Sequence, residues 1–487
     1  MLTLFFKDSV VYGLVRVLTS ATAVVLMPLY TRWLTPAHYG IVDLVTVLST
    51  VVQLLATLEI AQAFGRYYAD PAAGAERRAF ASTALLFTVG GYAVFLAVVL
   101  SASGPIATAL LGSAEHADVL RLAALAMAAG GVFTLLQNQL RYDRRSGGYA
   151  AASVVFSLTS LALVALLLVV ARLGIAGVFV AQLVAGLAGI ATALALTRGV
   201  RWRFDVAKCS AMLRFSLPLV LSGLGVFVAL YADRLAISRL MSLADLGVYA
   251  AGARIASLVA LAMAGFQIAL PPLIYQRHER SETPGEIERV FRWFLAVTLP
   301  LVLFVGLFAG EALAILATAE YAGGRRVVFL LAVAFLVANM YMFAPGAWIA
   351  GRTGCVAAIS LGGALCNVVL NLALIPRLGI RGAALATGLS ALLSLGGYVA
   401  VGQRCYPIPY RWGRVTGALA LVLLVGAAVA ASAPWTALLG FWGDLLLRGV
   451  ILVTVSLVAA VLLLGVDEVS ASVGSAQSHL RGLIAAG

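Results

Sequence analysis

The stretch Pro28–Gly40, PLYTRWLTPAHYG, orders the rest of the chain. It follows an apolar run, carries two prolines, Trp33 and two tyrosines, and closes on a glycine before a second apolar run. That pattern predicts a connector at a membrane surface between two spanning helices, because amphipathic rings collect at the water–lipid boundary. The stretch has an echo 207 residues later. Arg32, Ala37 and Gly40 recur as Arg239, Ala244 and Gly247, with Thr35 answered by Ser242 and Ile41 by Val248. The chain therefore reads as two related halves.

Composition supports a membrane setting. The 487 residues are 63% hydrophobic and 11% charged, whereas soluble domains carry about 25% charged residues. No water-soluble fold hides that much apolar surface, so an all-α polytopic membrane protein is expected. A crossing helix needs roughly 20 mostly apolar residues. Fourteen runs qualify: 9–31, 41–67, 80–102, 118–140, 149–171, 175–197, 213–238, 245–274, 289–310, 326–350, 354–376, 380–402, 415–433 and 445–465. The connectors are short, and all seven tryptophans fall in them or near span ends. The N-terminus has no small-residue cleavage site, so its first helix is expected to be retained.

Basic residues set the expected orientation. Alternate connectors carry 21 on one side and nine on the other, with Arg16, Arg121 and Arg254 inside spans. The positive-inside rule then places both termini in the cytoplasm. The net charge of +13 is spread over these connectors. It forms no solvated basic domain of the kind nucleic-acid binding requires, and suits topology and an anionic partner instead. The four cysteines and four histidines show no pairing or metal-ligand spacing, and no phosphate-cradling glycine loop occurs.

The repeat extends along both halves. At the offset of 207, Lys7 and Ser9 match Arg214 and Ser216, and Arg145-Ser-Gly147 matches Arg352-Thr-Gly354. After a two-residue slip, Arg172-Leu-Gly174 matches Arg377-Leu-Gly379. Each repeat holds six spans, so both halves insert the same way, about an axis along the membrane normal. The expected organisation is a six-helix lobe over 1–205, a second over 206–405, and two additional spans with a short cytoplasmic tail over 406–487.

Charge inside hydrocarbon is costly and usually faces a cavity or a partner. Arg16 in the first span and Arg254 in the eighth are candidates to line an interior. In the second span Glu59, Gln62 and Arg66 stand at i, i+3 and i+7, which would put them on one helix face. Asp233 and Arg234 near the end of the seventh span read as an interfacial pair or a gate. Asn367 and Asn371, at i and i+4 in the eleventh span, read as interhelical hydrogen-bonding groups or as substrate contacts.

Several of these features resemble the bacterial polysaccharide repeat-unit, or O-antigen type, flippases. They are Tyr12-Gly13 with Arg16, the Pro28–Gly40 connector, Arg66-Tyr-Tyr68, Gly247-Val-Tyr249 with Arg254, and Asn367 and Asn371 leading to Ile375-Pro376 and Gly382. The resemblance implies membership of the multidrug/oligosaccharidyl-lipid/polysaccharide exporter superfamily, with two six-helix lobes and alternating access. It implies a transporter and not an enzyme, working in the bacterial cytoplasmic membrane for O-antigen or exopolysaccharide synthesis. The implied substrate is an oligosaccharide on undecaprenyl diphosphate, with Arg16, Arg66, Arg254, Asn367 and Asn371 as contacts. Glu59 would couple to a proton or sodium ion, no cofactor is implied, and membrane lipid, a polymerase and chain-length machinery are the implied partners. The alternatives are a multidrug or cation antiporter of the same superfamily, and a membrane polysaccharide polymerase or ligase. A reporter fused after Arg78 is expected to read cytoplasmic, and an extracytoplasmic reading would invert the whole topology.

Overall fold

In the computed structural model, residues 2–69, 76–197, 203–431 and 440–466 are described. They contain no strand. The helices are α1 (Leu2–Trp33), α2 (Pro36–Thr57), α3 (Ile60–Ala69), α4 (Arg77–Ser101), α5 (Ser103–Leu111), α6 (Ala117–Tyr142), α7 (Ser146–Val164), α8 (Gly174–Leu196), α9 (Val206–Leu240) and α10 (Leu243–Ala256). They continue as α11 (Leu258–Arg277), α12 (Thr283–Leu307), α13 (Ala309–Leu316), α14 (Arg325–Asn339), α15 (Gly346–Ile349), α16 (Thr353–Leu378), α17 (Ile380–Cys405), α18 (Trp412–Ala431) and α19 (Gly440–Leu464). Thirteen segments are long and apolar enough to cross a membrane, and α1 covers the first expected span. The tail expected beyond residue 466 lies outside the described residues.

The chain divides into two compact units, Met1–Ala251 with Ile315–Tyr321, and Gly252–Ala314 with Ala322–Gly487. In the first, α8 packs on α6 and α7, α1 on α7, and α9 against α2, α3 and α4. An apolar cluster in it joins Ile60, Phe64, Leu136, Leu140 and Met212 from α3, α6 and α9. In the second, α17 packs on α14 and α16, and α12 on α14, α18 and α19. Asp205 opens α9 by accepting the Lys208 N–H at 3.1 Å. That backbone hydrogen bond holds the Asp205 carboxyl below its ordinary value.

The internal repeat is visible in the backbone. Thr35 caps α2 by accepting the His38 N–H at 3.3 Å. Ser242, 207 residues on, caps α10 by accepting the Asp245 N–H at 3.1 Å. Each hydroxyl satisfies one of the amides that a helix start leaves unpaired. Arg145 and Arg352 hold similar conformations ahead of α7 and α16, with φ and ψ of −94° and 66° against −80° and 56°. Gly174 and Gly379 turn at φ values of 58° and 59°, a region that residues with a Cβ enter at a cost.

Two expected spans differ from their reading. The run 41–67 is not one helix. α2 stops at Thr57, and Leu58 and Glu59 take left-handed backbone at φ 47° and 55°. Two consecutive non-glycine residues there cost on the order of 1–3 kcal/mol each and persist only where neighbours enforce them. Neighbouring glycines press against this break. A Cβ on Gly91 of α4 would lie 1.9 Å from the Ala56 carbonyl oxygen, and one on Gly223 of α9 would lie 2.6 Å from Leu54. The run 245–274 is interrupted more gently at Ser257, whose hydroxyl donates to the Arg254 carbonyl at 2.6 Å and so competes with the helix ladder.

The Pro28–Gly40 stretch and its echo meet in the first unit. A Cβ on Gly40 would sit 1.9 Å from the Leu243 carbonyl oxygen, and one on Gly247 would sit 1.9 Å from that of Pro36. Since Pro36 aligns with Leu243 at the same offset, the contact is reciprocal, each helix start lying on the other's glycine. Residues 315–321 strap across it. Thr31 Oγ1 donates to the Leu316 carbonyl at 2.6 Å, Arg32 Nη2 to Ile315 at 3.1 Å, and Tyr321 Oη reaches the Leu34 carbonyl at 2.8 Å. Gly40→Val and Gly247→Val are each expected to destabilise by about 1–3 kcal/mol or more through overpacking against immovable backbone. Thermal unfolding of the detergent-solubilised protein should show both losses, less than additive in the double variant because one contact is shared. Gly90→Ala, whose Cβ meets nothing within 4 Å, should not lower the melting point.

Candidate functional site

The arginines in and at the ends of the spanning helices fall into two groups. Arg234 of α9 is half-buried and paired, with Nε 3.0 Å from Asp43 Oδ2 of α2 and Nη1 3.5 Å from Asp233 Oδ1. Asp233 is also held by the Tyr249 hydroxyl of α10, which donates to its Oδ2. The Arg234 guanidinium lies over the Tyr231 and Tyr249 rings at 5.7 and 5.9 Å. The expected Asp233–Arg234 pair is therefore part of a four-residue network, and Asp43 was not read from the sequence as belonging to it. In the second unit, Arg292 bonds Glu288 at 2.9 Å and caps α19 by donating to the Leu463 carbonyl at 3.0 Å. Arg448 bonds Glu311 at 2.8 Å and the Leu307 carbonyl at 3.0 Å, and pairs with Asp444. Each of these three cations is spent on the fold.

Arg254 is different. It lies about 16 Å along α10 from Leu243, at 1.5 Å per residue, and is half-buried. Its guanidinium has no hydrogen bond or ion pair among the described residues, and the bond to Ser257 uses only its carbonyl. Arg66 on α3 is exposed and has no carboxylate partner among the described residues; its guanidinium rests on the Phe215 ring at 4.6 Å. Glu59 is half-buried in the break between α2 and α3, with Gly223 of α9 beside it. The expectation that Glu59, Gln62 and Arg66 share one helix face fails here. Glu59 lies outside either helix, while Gln62 and Arg66 are exposed at i and i+4 on α3. Arg16 belongs to α1, but its side chain lies outside the described residues.

Asn367 and Asn371 are almost fully enclosed between α16 and α17. Asn371 Nδ2 donates to Asn367 Oδ1 at 2.9 Å, and Asn367 Nδ2 donates to Ser390 Oγ at 3.0 Å. Those amides act as the interhelical link that one reading of their spacing expected. A second polar link, Gln267 donating to Asn339 Oδ1, joins α11 to α14. The sequence signal for it was an amide in each of two apolar runs. Among the described residues no cluster of His, Cys, Asp or Glu is arranged to hold a metal ion. Arg66 and Arg254, neither bonded to a carboxylate among the described residues, are suited to an anion, and arginine's planar fork matches phosphate oxygens in particular.

The sequence profile of the polysaccharide biosynthesis protein family matches residues 29–323, a range that opens in the connector and closes just past the strap at Tyr321. The chain belongs to that family. No curated protein matches it in sequence. Among solved structures it resembles the lipid II flippase MurJ in an inward closed conformation, at 11% identity over 94% of this chain and 98% of that one, with a TM-score of 0.66. It also resembles an outward-facing multidrug resistance MATE family transporter of the MOP superfamily, at 15% identity over 82% and 95% of the two chains, TM-score 0.60. A MOP superfamily transporter from Pyrococcus furiosus gives 13% identity, 82% and 95% coverage and a TM-score of 0.54. At such identities the likeness is one of fold.

The two groups of arginines should respond oppositely to neutralisation. Arg234→Met strands one buried and one partly buried carboxylate and is expected to cost about 3–5 kcal/mol, a large part of a typical total stability. Arg254→Met removes a cation that has no described partner, and should accumulate and melt as the wild type does. Heated size-exclusion of the two variants distinguishes them.

Proposed function

We propose that this member of the polysaccharide biosynthesis family is a flippase that carries an oligosaccharide on undecaprenyl diphosphate from the inner to the outer leaflet of the bacterial cytoplasmic membrane. The observation that carries the reading is Arg254, a half-buried arginine well inside a span with no anionic partner among the described residues. An arginine at such a depth costs roughly 2.5–3.5 kcal/mol on insertion scales unless something compensates it. A diphosphate supplies that compensation, through charge-assisted and often bidentate hydrogen bonds. Family membership favours a saccharide cargo over a drug, and the fold is shared with a protein named as a lipid II flippase.

On this reading Arg254, Arg66 and Arg16 contact the diphosphate or an acidic sugar. Glu59 is the coupling residue for a proton or sodium ion, placed in a strained break that a change of helix pairing could relax. Both termini face the cytoplasm, and the product is handed on to a polymerase and its chain-length machinery for surface or exopolysaccharide synthesis. Asn367 and Asn371 are left out of the substrate contacts because both are buried between α16 and α17, where their amides already bond each other and Ser390. Deleting the protein should cause undecaprenyl-diphosphate-linked saccharide to build up on the cytoplasmic side. Arg254→Met, folded and present at normal level, should export at least about tenfold less, the loss expected for one charge-assisted hydrogen bond. Export left intact by both Arg16→Ala and Arg254→Ala would remove these arginines from the substrate site.

A further inference from the structure

The first unit holds a half-open cavity of about 470 Å³ among α1, α2, α4, α6, α7 and α8. That volume lies within the roughly 300–1,000 Å³ of small-molecule sites. Its lining is unusual for a chain that is 63% hydrophobic. Its described lining residues include no Asp, Glu, Lys, Arg or His, yet more than half of them bear a hydroxyl or an amide.

These polar groups are positioned with oxygen free to accept. Thr22, Thr46 and Thr134 donate their hydroxyl protons back to carbonyls of their own helices at 2.8–2.9 Å. Each therefore keeps an acceptor lone pair. Gln53 and Gln182 line the same space and their side-chain amides have no partner among the described residues. An amide left so in hydrocarbon surroundings carries a desolvation penalty unless something in the cavity bonds to it. Gln137 is oriented by donating to Ser153 Oγ at 2.6 Å. Flat apolar surface is present as well. Phe133 and Phe156, which line the cavity, stack at 5.0 Å with their planes 10° apart.

Uncharged donors and acceptors beside aromatic faces match the chemistry of a neutral sugar ring, which has hydroxyls around its edge and an apolar face of C–H groups. Among the described lining residues a phosphate would find no cation. A proton or metal cation would find no carboxylate. We propose that this cavity receives a neutral glycosyl residue of the lipid-linked substrate, a site distinct from the arginines that take its diphosphate. The proposal rests on the flippase reading above.

Gly130 provides the test. It lines the cavity, and a Cβ there meets nothing within 4 Å. Gly130→Leu therefore starts its side chain in open space at the cavity wall, and should also favour the helix. Gly90→Leu is the control, since Gly90 is exposed and equally open. In a deletion strain complemented with each variant, Gly130→Leu is expected to lower saccharide export at least about tenfold at wild-type protein level, the equivalent of one or two lost hydrogen bonds. Gly90→Leu should export normally. The double variant Gln53→Leu with Gln182→Leu, which keeps side-chain volume and removes both amides, reads the same site should Gly130→Leu fail to accumulate, and it should also lose export at wild-type protein level. Normal export by Gly130→Leu, or by the amide-free variant when Gly130→Leu does not accumulate, overturns the cavity assignment and leaves the flippase reading standing. No build-up of lipid-linked saccharide in the deletion strain overturns the flippase reading itself.

Discussion

Backbone lies directly on backbone where Gly40 meets Leu243 and Gly247 meets Pro36, and the polar interior of the first unit depends on that approach. Lipid tails are as apolar as leucine, so helices in a bilayer are not driven together by hydrophobicity. They associate where small residues let backbones come close and polar groups bond across the gap. Both conditions hold here. Asp43 lies three residues beyond Gly40 on α2, and Tyr249 two residues beyond Gly247 on α10. Drawing the two helix starts together brings Asp43 within 3.0 Å of Arg234 and lets Tyr249 bond Asp233. A Cβ at either glycine would push apart the elements that carry this network. The Pro28–Gly40 connector thus works as a joint, and the strap at residues 315–321 is hydrogen-bonded onto it.

The cost of charge in hydrocarbon explains how the cations are distributed. Arg234, Arg292 and Arg448 each sit against at least one carboxylate, and the last two also take helix carbonyls that lack a ladder partner. Replacing such a set with apolar side chains would often be tolerated, whereas removing one member strands the rest. These arginines therefore account for their own presence by structure alone. Arg254 does not, since the described residues offer it nothing of opposite charge, and on the flippase reading a visiting anion compensates it.

How much of this was legible in the sequence depended on what each feature needs. The spans and the repeat were legible because they rest on local composition and on colinear arginines and glycines at connectors. The backbone at Thr35 and Ser242, and at Gly174 and Gly379, follows that register. The break at Leu58 and Glu59 was not legible, because neither residue is a glycine or proline. Its cause lies on other helices, in the close approach of Gly91 and Gly223. The role of Asp43 was hidden for a similar reason: its partner Arg234 is 191 residues away, and near a helix start an aspartate is unremarkable. The Asn367–Asn371 spacing admitted two readings, and the Ser390 contact across to α17 accounts for the donors without a substrate.

The two halves agree at their connectors and diverge between them. At the offset of 207, Thr134 and Ser153, which line the hydroxyl-rich cavity of the first unit, align with Tyr341 and Ser360 of the second. There the surroundings are aromatic. Tyr341 packs against Trp348 and Tyr398 at ring distances of 5.8 and 6.0 Å, and the Ser360 hydroxyl is 2.7 Å from that of Tyr398. The helix breaks diverge likewise, since α2 runs 22 residues before its break and α10 only 14. Caps and tight glycine turns are geometric requirements of stacking helices in lipid, and either half must meet them. Interiors carry no such requirement. On the flippase reading, an acidic break with a hydroxyl-rich cavity in one half, and an arginine with no described partner in the other, is an asymmetry that a cargo whose two ends differ in charge would use.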